Sequence, residues 1–96
     1  MAWLAVITVP PQELVLADKE KRHYQLIVTG WTDDTNFIND TLVHFHIAED
    51  GKIWLLENKT EWLVAEELVR RGVPSQDIVI GFHPPQYRQY TGFAVT

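Results

Sequence analysis

From Glu13 to Glu57 the chain alternates short apolar runs with polar punctuation, a pattern that predicts paired strands in preference to long helices. Glu13-Leu14-Val15-Leu16-Ala17 reads as a first strand, Asp18-Lys19-Glu20-Lys21 as a polar turn, and His23–Thr29 as a second strand. In that second strand Tyr24, Leu26 and Val28 alternate with His23, Gln25 and Ile27, so the two segments predict a hairpin. Thr32–Asp40 is polar apart from Phe37 and Ile38 and rich in Asp and Asn, which favour turns; it is expected to be the most mobile loop. Asp50-Gly51 has the residue types of a two-residue type I′ turn between Leu42–Glu49 and Lys52–Glu57. That turn sets Ile47 opposite Trp54 and Phe45 opposite Leu56, and places Val43, Phe45, Ile47, Trp54 and Leu56 on the core face. The other face, with Leu42, His44, His46, Ala48, Ile53, Leu55 and Glu57, is too apolar to meet only water, so the chain's own ends or another subunit are expected to cover it.

The period then changes to that of a helix. Thr60 is a suitable N-cap, Glu61 suits the positive end of the dipole, and Gly72 with Pro74 forms a stop, which predicts a helix over Glu61–Arg71. Trp62, Val64, Ala65, Leu68 and Val69 share one face, while Glu66 with Arg70 and Glu67 with Arg71 pair at i,i+4 on the far side. Leu63 projects among these charges, as a solvated leucine or a partner contact. Asp77–Ile80 reads as a short strand, Gln86–Gln89 as a helical turn after Pro84-Pro85, and Phe93-Ala94-Val95 as a final strand. The expected architecture is a single α+β domain, a mainly antiparallel sheet of two hairpins plus C-terminal strands, with one principal helix packed on it.

Ninety-six residues suffice for one core and leave no room for a second. The formal charge of −5 disfavours broad contact with phosphate backbones, so no direct nucleic-acid binding is expected and a basic or mixed partner fits better. The absence of cysteine excludes disulfides and thiolate chemistry and suits a cytoplasmic setting. The apolar opening Ala2–Val9 lacks a basic leader and is too short to span a bilayer, so no membrane partner is expected; Trp3, Leu4, Val6 and Ile7 read as packing surface.

His44-Phe45-His46 puts two imidazoles on one strand face, and His83, Glu57 or an acid from Asp33-Asp34 would be needed to complete a zinc or iron centre. The predicted register also sets His44 opposite Glu57, and a cross-strand hydrogen bond explains that pair without a metal. His23 and His83 have the basicity for proton transfer but no visible nucleophile beside them. No Gly-x-Ser-x-Gly elbow, glycine-rich phosphate loop or His-Glu-x-x-His helix occurs. Arg22, Tyr24, Trp31 and Arg88 are dispersed among acids and form no electrostatic footprint for nucleic acid. Neither catalytic residues nor a cofactor are therefore expected.

Gly81-Phe82-His83-Pro84-Pro85 reads as a stiff turn that ends a strand, or as a binding loop held rigid by its prolines. Together with Gly30-Trp31, Gly51-Lys52-Ile53-Trp54, Thr60-Glu61, Glu67-Leu68-Val69 and Gly72-Val73-Pro74, the Asp77–Thr96 ending resembles the XisI family over Glu13–Thr96. The N-terminal segment is shorter than the amphipathic helix with which that family usually begins. The loop after Trp31 has Thr35, Asn36 and Phe37 where a basic residue is often found. The resemblance implies a controlling factor for excision of the fdxN element, a DNA segment removed in some filamentous cyanobacteria. It also implies a XisH-like partner of nuclease-like fold, and so a noncatalytic regulator acting by protein contact. Trp31, Leu63, Phe82, His83, Tyr87, Arg88 and Tyr90 are the candidate contact residues. Two other readings compete: a small metal-dependent enzyme using His44 and His46, and a self-assembling structural domain, the latter compatible with regulation because a homo-oligomer is expected in either case.

Overall fold

The computed structural model describes residues 11–96, so the expected packing role of Trp3, Leu4, Val6 and Ile7 lies outside the described residues. Among the described residues five strands, β1 (Gln12–Asp18), β2 (His23–Trp31), β3 (Phe37–Ile47), β4 (Ile53–Asn58) and β5 (Ile78–Ile80), form one sheet in the order β1-β2-β3-β4-β5. The first four are an antiparallel meander. The fifth runs parallel to β4, so the sheet is mixed. A parallel neighbour requires a crossover, and the segment between β4 and β5 carries it through helix α1 (Val64–Arg70). A short helix α2 (Pro85–Arg88) follows β5, and the expected final strand is reduced to one parallel bridge between Val79 and Ala94.

The first hairpin is as expected. Asp18 accepts hydrogen bonds from the Glu20 and Lys21 amides at 3.2 and 3.0 Å, and Arg22 takes a left-handed φ of 59° to finish the turn. The loop after β2 is shorter than predicted, because β3 begins at Phe37 and takes up Phe37–Asp40. Asp33 closes the remaining residues, accepting from the Thr35 and Asn36 amides at 2.7 and 2.9 Å and from both of their side chains. Those donors lower its pKa to about 2.

The β3–β4 turn differs by one residue from the sequence expectation, with large consequences. Ala48 and Lys52, not Glu49 and Lys52, close the hairpin, the Ala48 amide donating to the Lys52 carbonyl at 2.9 Å. Three residues, Glu49–Gly51, therefore form the loop, with Gly51 at a φ of 88° and its amide donating to Ala48. Phe45 then faces Leu55, His46 faces Trp54 and Ile47 faces Ile53. A one-residue slip moves every side chain of a strand to the opposite face. So β4 gives Leu55 to the core, and Trp54 and Leu56 do not occupy the core-face positions expected for them. A bulge at Leu56 restores the expected pairing of His44 with Glu57, and another at Leu42 lets both Leu42 and Val43 pack against the core.

Helix α1 starts at Val64, three residues later than predicted, and Thr60 is not its cap. The Asn58 carboxamide accepts from the Thr60 amide at 2.9 Å and donates to the Trp62 carbonyl at 2.8 Å, while the Thr60 hydroxyl accepts from the Trp62 amide at 3.2 Å. These local bonds satisfy groups that would otherwise enter the helix. The far end follows expectation: Gly72, at a φ of 104°, donates to Val69 and Val73 donates to Leu68, a Schellman closure in which Leu68 and Val73 both reach the core. Glu67 takes both arginines, Arg70 at 2.6 Å and Arg71 at 3.0 Å, in place of the expected two-rung ladder. The core proper is Val43, Leu55, Ala65, Ile78 and Ile80. Val79 is equally buried, although its side chain points to the face opposite Ile78 and Ile80.

Candidate interaction surface

Where α1 and α2 approach the β4–β5 edge, the chain leaves an open groove of about 450 Å³ lined by Leu55, Ile80 and Phe93 below and by aromatic and apolar side chains at its rim. The late start of α1 puts Trp62 and Leu63 on that rim, with 61% and 70% of their surfaces exposed. The opposite rim is built by a turn at the end of β5, where the His83 amide donates to the Ile80 carbonyl at 3.2 Å, followed by Pro84-Pro85 leading into α2. Pro85 sits in the first turn of α2, where its missing amide is not needed. This presents Phe82, His83, Tyr87 and Tyr90, the last 78% exposed. The Phe82 and His83 rings lie 4.9 Å apart.

Of the seven contact residues expected from sequence, Leu63, Phe82, His83, Tyr87 and Tyr90 line this one groove. Trp31 is elsewhere, at the end of β2, its ring 5.3 Å from that of Phe37 opposite it. Arg88 has internal partners: its guanidinium lies 5.1 Å over the Trp54 ring and donates to the carbonyls of His83, Gly81 and Val95 at 3.2–3.4 Å. It holds α2 against the sheet. Sequence reasoning missed Trp62, assigned there to the buried helix face; the readable signal was Asn58 and Thr60, two side chains able to delay the helix.

The histidines form a second cluster. His44 and His46 project from the same strand face, as their spacing predicts, and β2 brings His23 directly opposite His46. The His23 and His46 rings stack at 4.2 Å, His23 Nδ1 lies 2.9 Å from His44 Nε2, and His46 Nδ1 lies 3.1 Å from the Arg22 carbonyl oxygen. The expected His44–Glu57 hydrogen bond gives way to this histidine pair, and Glu57 lies 3.4 Å from Lys59 instead. His83 belongs to the groove. Among the described residues no three His, Asp or Glu side chains have the geometry to hold a metal ion, so the metal-enzyme reading gains no ligand set.

Burial lowers the pKa of His44, the positive charge that His23 and His46 can carry lowers it further, and Glu57 opposes the shift. A base whose folded pKa is depressed binds protons more readily when unfolded, so stability falls as pH drops below the ordinary histidine value of about 6.5. Acidification from pH 7.5 to 5.5 is expected to lower the thermal midpoint, and to lower it less in His44→Gln. Calorimetry at both pH values checks this; equal losses in the two proteins would remove His44 as the cause.

The family model described as XisI protein matches residues 7–95 of this chain. The chain belongs to the XisI family. Its fold is that of a XisI-like protein from Anabaena variabilis ATCC 29413, with a TM-score of 0.82 and 38% identity, covering 99% of this chain and 87% of that one. It is also similar to the fdxN element excision controlling factor XisI from the same organism, with a TM-score of 0.74 and 27% identity over 99% of this chain and 86% of that one. A search of curated proteins gave no match. The XisI match begins upstream of Glu13, the start of the region that carries the sequence motifs. No helix among the described residues is long and apolar enough to cross a membrane.

Proposed function

We propose that this XisI-family chain is a noncatalytic controlling factor for a DNA excision event, and that it acts by binding a XisH-like protein of nuclease-like fold. The observation that carries the reading is the groove, where Trp62, Leu63, Phe82, Tyr87 and Tyr90 are all exposed around an apolar floor. Exposed aromatic side chains gathered at one concavity are the composition of a protein-binding hot spot and have no use in a water-facing rim. The controlling-factor role rests on the name of the Anabaena neighbour. The net charge of −5 favours a partner with a basic nucleic-acid channel, for which an acidic module competes with phosphate. Restraint of that partner until DNA arrives is the mechanism we favour.

Coexpression with a XisH-like protein tests this. The unsubstituted chain is expected to copurify, and Phe82→Ala combined with Tyr90→Ala to weaken the complex about 1000-fold, since two aromatic anchors each contribute about 2 kcal/mol. Both side chains are exposed, so the variant should stay folded. Failure of the unsubstituted pair to copurify rejects the partner, and full binding by the double variant rejects the groove. Tight duplex binding by the isolated chain at ordinary salt would replace the contact mechanism altogether.

A further inference from the structure

We propose that two copies of this chain pair through the outer edges of their β1 strands, continuing the sheet across a two-fold axis at Val15. The inner edge of β1 is hydrogen-bonded to β2 without a bulge from Gln12 opposite Thr29 to Asp18 opposite His23. No described residue pairs with its outer edge. All seven residues of β1 are exposed, Val15 to 76%. Solvent-facing edge strands are ordinarily guarded by lysine, proline or a bulge, and the central Leu14-Val15-Leu16-Ala17 has none of these.

The sequence of β1 selects a second copy as the occupant. In an antiparallel pair centred on Val15, Leu14 faces Leu16 of the second copy, Glu13 faces Ala17 and Gln12 faces Asp18, so neither acid meets another. Moving the axis one residue to Leu16 leaves Gln12 and Glu13 without partners in the strand and sets Leu14 against Asp18, so the register centred on Val15 is favoured. In the favoured register the four leucines cluster on the histidine-bearing face, and the two valines meet on the face that carries α1. Because β1 and β5 are opposite edges of the sheet, the two grooves end up at the far ends of the joined sheet.

Light scattering at micromolar concentration is expected to give twice the chain mass of 11.1 kDa. Val15→Lys and Val15→Glu, each placing like charges across the axis, are expected to be folded monomers, and an equimolar mixture of the two to recover the dimer. The absence of native cysteine permits a second measurement. Val15→Cys is expected to cross-link to itself under mild oxidation, since opposed residues lie about 5 Å apart. Leu16→Cys is not, since its copies are separated by about 8 Å and point to the other face. A monomeric unsubstituted chain, a dimer that survives Val15→Lys, or cross-linking through Leu16 in preference to Val15 would each overturn the proposal; dimerisation that Val15→Lys leaves intact would put the interface elsewhere.

Discussion

Ile78→Ala is expected to lower the unfolding free energy by about 3–4 kcal/mol, toward the upper part of the range for truncating a large buried aliphatic side chain. Ile78 is 0% exposed and stands at the centre of a small core with Val43, Leu55, Ala65 and Ile80. Its neighbours have little freedom to close the gap. On one side β4 is fixed by the pairing of Ile78 with Ile53, and on the other the Ile78 carbonyl accepts from the Ala94 amide at 2.9 Å. A domain of this size has about 5–15 kcal/mol in total, so the loss is a large fraction of it and corresponds to roughly 15 °C in Tm. Ile78→Val, which removes one methyl group, should cost about 1 kcal/mol. Urea titrations of the two variants check both the size and the ratio; a change below about 1 kcal/mol for Ile78→Ala would show that the core is packed differently.

Gly81→Val is expected to destabilise the fold by about 2–3 kcal/mol and to disorganise the groove as well. The constraint at Gly81 is space. A Cβ there would lie 3.0 Å from a Leu56 methyl, 3.1 Å from the Trp54 ring and 3.2 Å from the Leu55 carbonyl oxygen. The carbonyl belongs to β4 and accepts the Gly81 amide at 2.8 Å, so it cannot retreat without breaking that bond. The Trp54 ring is pinned from another direction by Arg88. A branched side chain must therefore push the backbone away from β4, and Phe82 and His83 move with it. Thermal melts measure the first effect, and copurification with the XisH-like protein measures the second. Native stability in Gly81→Val would mean that the chain does not approach β4 this closely.

Much of the architecture was legible in local pattern. The first hairpin, the principal helix with its Gly72 stop, the apolar β5 run and the proline-led α2 all follow from signals spanning a few residues, each tied to a backbone conformation or a hydrogen bond available on the spot. The XisI likeness was legible in the same way, from short motifs in fixed order. Of the site, Leu63 and the aromatic and imidazole residues of Phe82–Tyr90 could be named. That they share one groove could not be read, because it depends on where α1 begins and how the turn after β5 folds back.

What the sequence by itself determined is the order and type of the main elements, though not all of their ends, and that the chain is acidic, since these depend on residue type and neighbours along the chain. Only the tertiary structure decided the parallel placement of β5, the exchange of Leu55 for Trp54 in the core, the meeting of His23 with His44 and His46, and the inward role of Arg88. Each turns on register or on contacts between distant segments. A single extra loop residue before Lys52 reverses the faces of β4, and composition carries no trace of it.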